Sequence, residues 1–168
     1  MNQLLACYKN GNYIVKLYSD GTKIKRTPND SFIAEFPDSI DLKITDYCDM
    51  NCPMCHEKSS TNGKEGSLQE SFLSTLKGGT ELAIGGGNPL SHRELVPFLE
   101  RMKKQGVICN LTVNEAHLEK NQALIEELIS KKLIYGLGVS IKAYNQNAIE
   151  FAKKHKNTVF LYYSFSVI

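Results

Sequence analysis

Hydrophobic and polar positions divide this chain into two patterns. Up to about residue 37, β-branched and aromatic residues come in short runs broken by turn pairs. Tyr13 to Tyr18 lies between Asn10-Gly11 and Asp20-Gly21, dipeptides that favour tight hairpin turns. The spacing predicts an antiparallel β-meander with strands over 3–8, 12–18 and 22–26, then a stretch punctuated by Pro28 and Pro37. From about residue 39 strand and helix periods alternate. Ile40, Leu42 and Ile44 mark a strand that runs into Cys48, and Leu82-Ala83-Ile84 is a second, short and apolar. Residues 107–113, 134–141 and 159–168 are three more. Helical spacing marks Phe72, Leu73 and Leu76, then Phe98, Leu99 and Met102, then Leu124, Ile125, Leu128 and Ile129, and finally 148–155. Ser67 with Glu70 and Ser91 with Glu94 have the spacing of capping boxes, and Leu90 with Leu95 that of a hydrophobic staple. Gly78-Gly79 and Gly106 supply helix stops.

Five strands and four helices in alternation predict a parallel sheet with right-handed crossovers. The near-continuous apolar strands suit a sheet covered on both faces. The expected organisation is α/β: residues 1–37 as a β-meander extension, and residues 38–168 as a partial parallel β/α barrel. The final apolar strand ends with the sequence at Ile168. A parallel sheet would cover that strand with another helix, so the expectation is truncation at the carboxyl end. The alternative is a minimal barrel with an open edge.

Composition changes this picture little. The chain has 168 residues, 42% hydrophobic and 23% charged, which suits one globular domain with a sizeable core. A balance of 20 basic against 18 acidic residues gives no footing for a nucleic-acid partner. No apolar run approaches the roughly 18 residues of a membrane span. Leu4-Leu5-Ala6-Cys7 resembles a lipoprotein cleavage site but lacks the basic segment and long apolar run before it. Cys7 is therefore expected to be a buried strand residue and the compartment to be the cytoplasm. Five cysteines in a reducing compartment point to metal or redox chemistry.

Three of them stand together: Cys48-Asp49-Met50-Asn51-Cys52-Pro53-Met54-Cys55, spaced Cys-x3-Cys-x2-Cys. Three thiolates can bind three irons of a cubane cluster and leave the fourth open to chelate a small molecule. Alternatives stay open at this level. Three cysteines with His56 could bind zinc, although adjacent Cys55 and His56 fit one tetrahedral ion poorly. An electron-transfer cluster would call for a fourth cysteine, and Cys109 falls early in a strand, where it reads as core.

The motif lies at the carboxyl end of the first strand of the alternating run, and Gly85-Gly86-Gly87-Asn88-Pro89 at the end of the second. In this order and placement the two segments resemble the radical S-adenosylmethionine (SAM) superfamily over roughly residues 39–168. The second segment is similar to that family's Gly-Gly-Glu-Pro motif, in which exposed backbone holds the methionine amino group. Taken alone, such a glycine run could equally be a phosphate-binding turn. Two departures stand out: Gly87, followed by Asn88, stands where a carboxylate is usual, and Met54 where an aromatic residue usually lies near adenine.

The resemblance implies a [4Fe-4S] cluster on Cys48, Cys52 and Cys55, and SAM on Met54 and Gly85 to Pro89. It implies reductive cleavage of SAM to a 5′-deoxyadenosyl radical that abstracts hydrogen from a substrate. That substrate, whether small molecule, peptide or partner protein, is not specified. An external reductant such as ferredoxin or flavodoxin would supply the electron. Functional side chains gather at the carboxyl ends of parallel strands, which adds Asn114, Ser140 and Lys142 as candidate SAM contacts. For each the plainer reading is a surface or capping role. The competing function class is a non-catalytic iron–sulfur or zinc-binding module.

Overall fold

The computed structural model describes residues 3–53 and 55–163. β1 (Leu4–Asn10), β2 (Tyr13–Tyr18) and β3 (Lys23–Arg26) form an antiparallel sheet in that order. Tyr13, Val15 and Leu17 alternate inward along β2, as a half-buried strand requires. Cys7 is exposed, against expectation. It sits opposite Lys16 in the ladder, on the face that also carries Ile14 and Lys16 into solvent.

β4 (Ser39–Thr45), β5 (Glu81–Gly86), β6 (Ile108–Asn114), β7 (Gly136–Ile141) and β8 (Val159–Tyr163) form a parallel sheet in chain order. The crossovers contain α1 (Ser71–Thr75), a 3-10 turn (Pro89–Ser91), α2 (Leu95–Gln105), α3 (Glu115–Lys120), α4 (Gln122–Ser130) and α5 (Gln146–Lys154). Strands laid down in sequence with crossovers of one hand place their helices on one face. Ile84, Leu111 and Val139 of the sheet accordingly share a core with Leu99, Met102, Ile125 and Phe151 of the helices. The opposite face is not covered as expected: Asp41, Lys43, Ala83, Thr112, Phe160 and Tyr162 along it are exposed. The sheet is open, and the predicted last strand continues into 164–168, outside the described residues.

Neither capping box forms. The Ser67 hydroxyl accepts from the Gln69 amide, two residues on, at 3.2 Å, so α1 starts only at Ser71 and Phe72 lies exposed. At the second site the Glu94 amide donates to His92 Nδ1 at 3.1 Å, and Ser91 Oγ donates to the Asn88 carbonyl at 2.7 Å. Leu90 and Leu95 are nevertheless both buried. α2 stops as predicted at Gly106, whose φ of 78° needs a residue without Cβ. The short helix α3 was not anticipated, because only His117 and Leu118 of its six residues are buried.

Asp38 joins the two sheets. Its carboxylate accepts from Tyr13 Oη at 2.7 Å and Asn10 Nδ2 at 2.8 Å, and pairs with Lys25. Burial alone would raise this carboxyl, but the bonds from Lys25, Tyr13 and Asn10 outweigh it and hold it at about 2. Lys23 adds a 2.5 Å pair to Glu81.

Candidate metal and cofactor site

Between β4 and α1 the chain makes a long excursion that returns on itself. The Cys48 amide donates to Ser60 O at 2.9 Å, Ser60 N to Asp46 O at 3.1 Å, Asp46 N to Lys64 O at 2.9 Å and Gly66 N to Ile44 O at 2.8 Å. These bonds hold the motif over the carboxyl end of β4. The Cys55 amide donates to Cys52 O at 3.1 Å, a turn that folds the second and third motif cysteines together. All three are partly buried. Burial pushes the Cys48 thiol up, partly offset by a hydrogen bond from the Met50 backbone. Met54, a candidate SAM contact, lies outside the described residues.

The glycine segment abuts this loop backbone to backbone. Gly87 N donates to Thr45 O at 2.8 Å and Asn88 N to Tyr47 O at 2.6 Å. A Cβ on Gly87 would stand 2.0 Å from the Tyr47 carbonyl oxygen, so no side chain fits there. This gives a physical reason for glycine at that position. Gly85 differs: a Cβ there would meet nothing within 4 Å, so its backbone faces open space. Asn88 is buried and its side chain accepts from Leu90 N at 3.2 Å, capping the 3-10 turn that begins at Pro89.

The remaining candidates occupy the neighbouring strand ends. Asn114 Oδ1 caps α3 by accepting from Ala116 N at 2.9 Å, the plainer of its two roles. Ser140 lies opposite Tyr162 of β8 in the parallel ladder. Lys142 lies closest to the motif: Nζ is 3.8 Å from Cys52 Sγ, and its amide donates to Glu115 Oε1 at 3.1 Å. His56 does not join the cysteines. Its side chain is 91% exposed and contacts Glu57 at 3.1 Å.

The structure adds three residues that the sequence reading passed over. His117 Nε2 lies 2.7 Å from Asp49 Oδ1, and Lys120 Nζ 2.7 Å from Asp49 Oδ2. Cys48 Sγ, an Asp49 oxygen and a His117 nitrogen all fall within 4.8 Å of one another. The hydrogen bonds from Lys120 and then His117 hold the Asp49 carboxyl at about 2. Nothing in the sequence marks His117, since it belongs to the unanticipated helix and meets Asp49 only through the fold.

No family model and no curated protein matches this chain. The site itself therefore carries the functional reading. A cavity of about 280 Å³ lies apart from it, between Leu17 and Tyr18 of the meander and Asn110, Gly136 and Phe160 of the parallel sheet, and no cysteine lines it. Among the described residues, no helix is long and apolar enough to cross a membrane.

Proposed function

We propose that this chain is a radical SAM enzyme built on a partial β/α barrel, with a [4Fe-4S] cluster on Cys48, Cys52 and Cys55. One observation carries the reading. A loop of three cysteines and a glycine segment stand side by side at the carboxyl ends of adjacent parallel strands, joined by the Gly87–Thr45 and Asn88–Tyr47 hydrogen bonds. Parallel α/β sheets bind ligands at that end.

The residues present fit the groups. Three thiols on one loop suit three irons of a cubane and leave the fourth for a chelating ligand. The Gly87 and Asn88 amides are engaged with Thr45 and Tyr47, so a ligand's ammonium group would be met by main-chain carbonyl oxygens and not by these donors. The open space beside Gly85 lets a ligand approach the main chain. Lys142, beside Cys52, is placed to pair with a carboxylate. When bound, the cluster and SAM together supply reductive C–S cleavage and a 5′-deoxyadenosyl radical that takes hydrogen from a substrate. The chain's own part is to hold the thiolates, orient the methionine end and keep the radical from water. An external reductant such as ferredoxin or flavodoxin delivers the electron, and a cytoplasmic setting keeps the thiols reduced.

A second reading rests on the Cys48, Asp49 and His117 grouping: a non-catalytic metal-binding module, with zinc as its natural ion. Anaerobic reconstitution separates the two. The radical SAM reading expects about four irons and four sulfides per chain, and 5′-deoxyadenosine by mass spectrometry after SAM and dithionite are added, with neither in Cys52→Ala. One zinc with no sulfide would replace it by the second reading.

A further inference from the structure

We infer that His117 and Lys120 are positioning residues for the cluster loop, acting through Asp49 to fix the path of the chain at Cys48. This rests on the proposed function, which makes Cys48 a cluster ligand. Asp49 directly follows that cysteine, and its partners come from 68 and 71 residues away, on α3. The His117 side chain is 2% exposed, so its imidazole is packed in place while the Asp49 carboxylate comes to it. Asn114 fixes the start of α3 and β6 leads straight into it. The clamp thus refers the first ligand of the loop to a different strand of the sheet from the one it leaves.

Cys48, Asp49 and His117 form the ligand set of the second reading above, and the charges around Asp49 weigh against it. Lys120 places an ammonium 2.7 Å from one Asp49 oxygen, and His117 already fills hydrogen-bonding distance to the other. A divalent cation would have to sit against that ammonium at the same carboxylate. A hydrogen-bonded carboxylate flanked by two donors is instead the arrangement of an outer shell, whose members orient the ligands and tune the metal.

The test compares wild type, His117→Leu, His117→Gln and Lys120→Ala after anaerobic reconstitution. Gln can return a donor near the position of Nε2, and Lys120 is 61% exposed, so its loss leaves the fold intact. Three readouts are followed: the rate of iron transfer to a chelator, the electron paramagnetic resonance spectrum of the reduced cluster, and the melting temperature. Removing an outer-shell partner costs roughly 10–100-fold in metal affinity. His117→Leu should therefore lose iron at least about tenfold faster and show an altered spectrum. Gln should recover much of both, and Lys120→Ala should move them in the same direction by less. If wild type takes up no cluster, the enzyme reading and this inference fall together. If wild type carries a cluster and Lys120→Ala and His117→Leu keep its retention and spectrum, the inference alone is overturned. A His117→Leu that does not fold leaves the decision to Gln and Lys120→Ala; wild-type behaviour in both would overturn the inference.

Discussion

The amide of Asn88 donates to the carbonyl of Tyr47 at 2.6 Å, joining the glycine segment to the residue immediately before Cys48. The two candidate ligand-binding segments are therefore one backbone unit. Whatever moves Gly87 moves the cysteine loop.

Gly85 and Gly87 should consequently respond in opposite ways to the same change. Gly87→Ala places a methyl 2.0 Å from the Tyr47 oxygen and is expected to displace the loop and prevent full iron loading. Gly85→Ala has open space around its Cβ and should keep iron, while losing affinity for SAM because the methyl enters the approach to the main chain. Iron analysis and SAM titration on the two variants distinguish the effects. Equal iron in both would remove the steric argument.

Lys142→Met removes a cation beside Cys52. Losing one charge-assisted hydrogen bond costs about 1.5–3 kcal/mol, so SAM affinity should fall at least about tenfold by calorimetry on the reconstituted protein. Ser140→Ala should have the smaller effect, because a neutral hydroxyl makes a weaker hydrogen bond than a charged group.

Cys109 should be inert while the protein is folded. Burial pushes its thiol up to about 12, so near neutral pH it is protonated and poorly nucleophilic. Alkylation followed by peptide mass spectrometry should label exposed Cys7 readily, and Cys109 only after denaturation. Cys109→Ser and Cys7→Ser should both retain iron.

Asp38→Ala should destabilise the protein by about 3 kcal/mol, since buried Asn10 and Tyr13 lose their acceptor and each buried orphan costs roughly 1–3 kcal/mol. Urea unfolding measures this. The folded carboxyl is held at about 2, below its ordinary 3.8. Its contribution is thus fully present above the unfolded value and lost as pH falls from about 4 towards 2. In the same pH window the advantage of wild type over Asp38→Asn should shrink.

The elements were legible in the sequence where pattern and local chemistry agree. Asn10-Gly11 and Asp20-Gly21 announce the meander, and Leu82 to Ile84 and Ile134 to Ile141 announce buried strands, the second beginning two residues later, at Gly136. Capping was not legible at Ser67 or Ser91, because a hydroxyl near an amide can close a short turn as readily as start a helix. The exposed sheet face was missed because strands such as 159–163 are apolar on both sides, although only one side is covered. The cysteine loop is visible as spacing, whereas the Asp49, His117 and Lys120 grouping arises only from long-range packing that no local period encodes.

The four backbone hydrogen bonds that close the cysteine excursion involve no cysteine side chain. Closing a flexible loop carries an entropic penalty that grows with its length. Here backbone hydrogen bonds offset part of that penalty without calling on any thiolate. The backbone of this loop is thus closed by its own hydrogen bonds, in contrast to small zinc domains that remain unfolded without their ion. The chain stripped of metal should keep its compact sheet, and lose only what the thiolates themselves would hold.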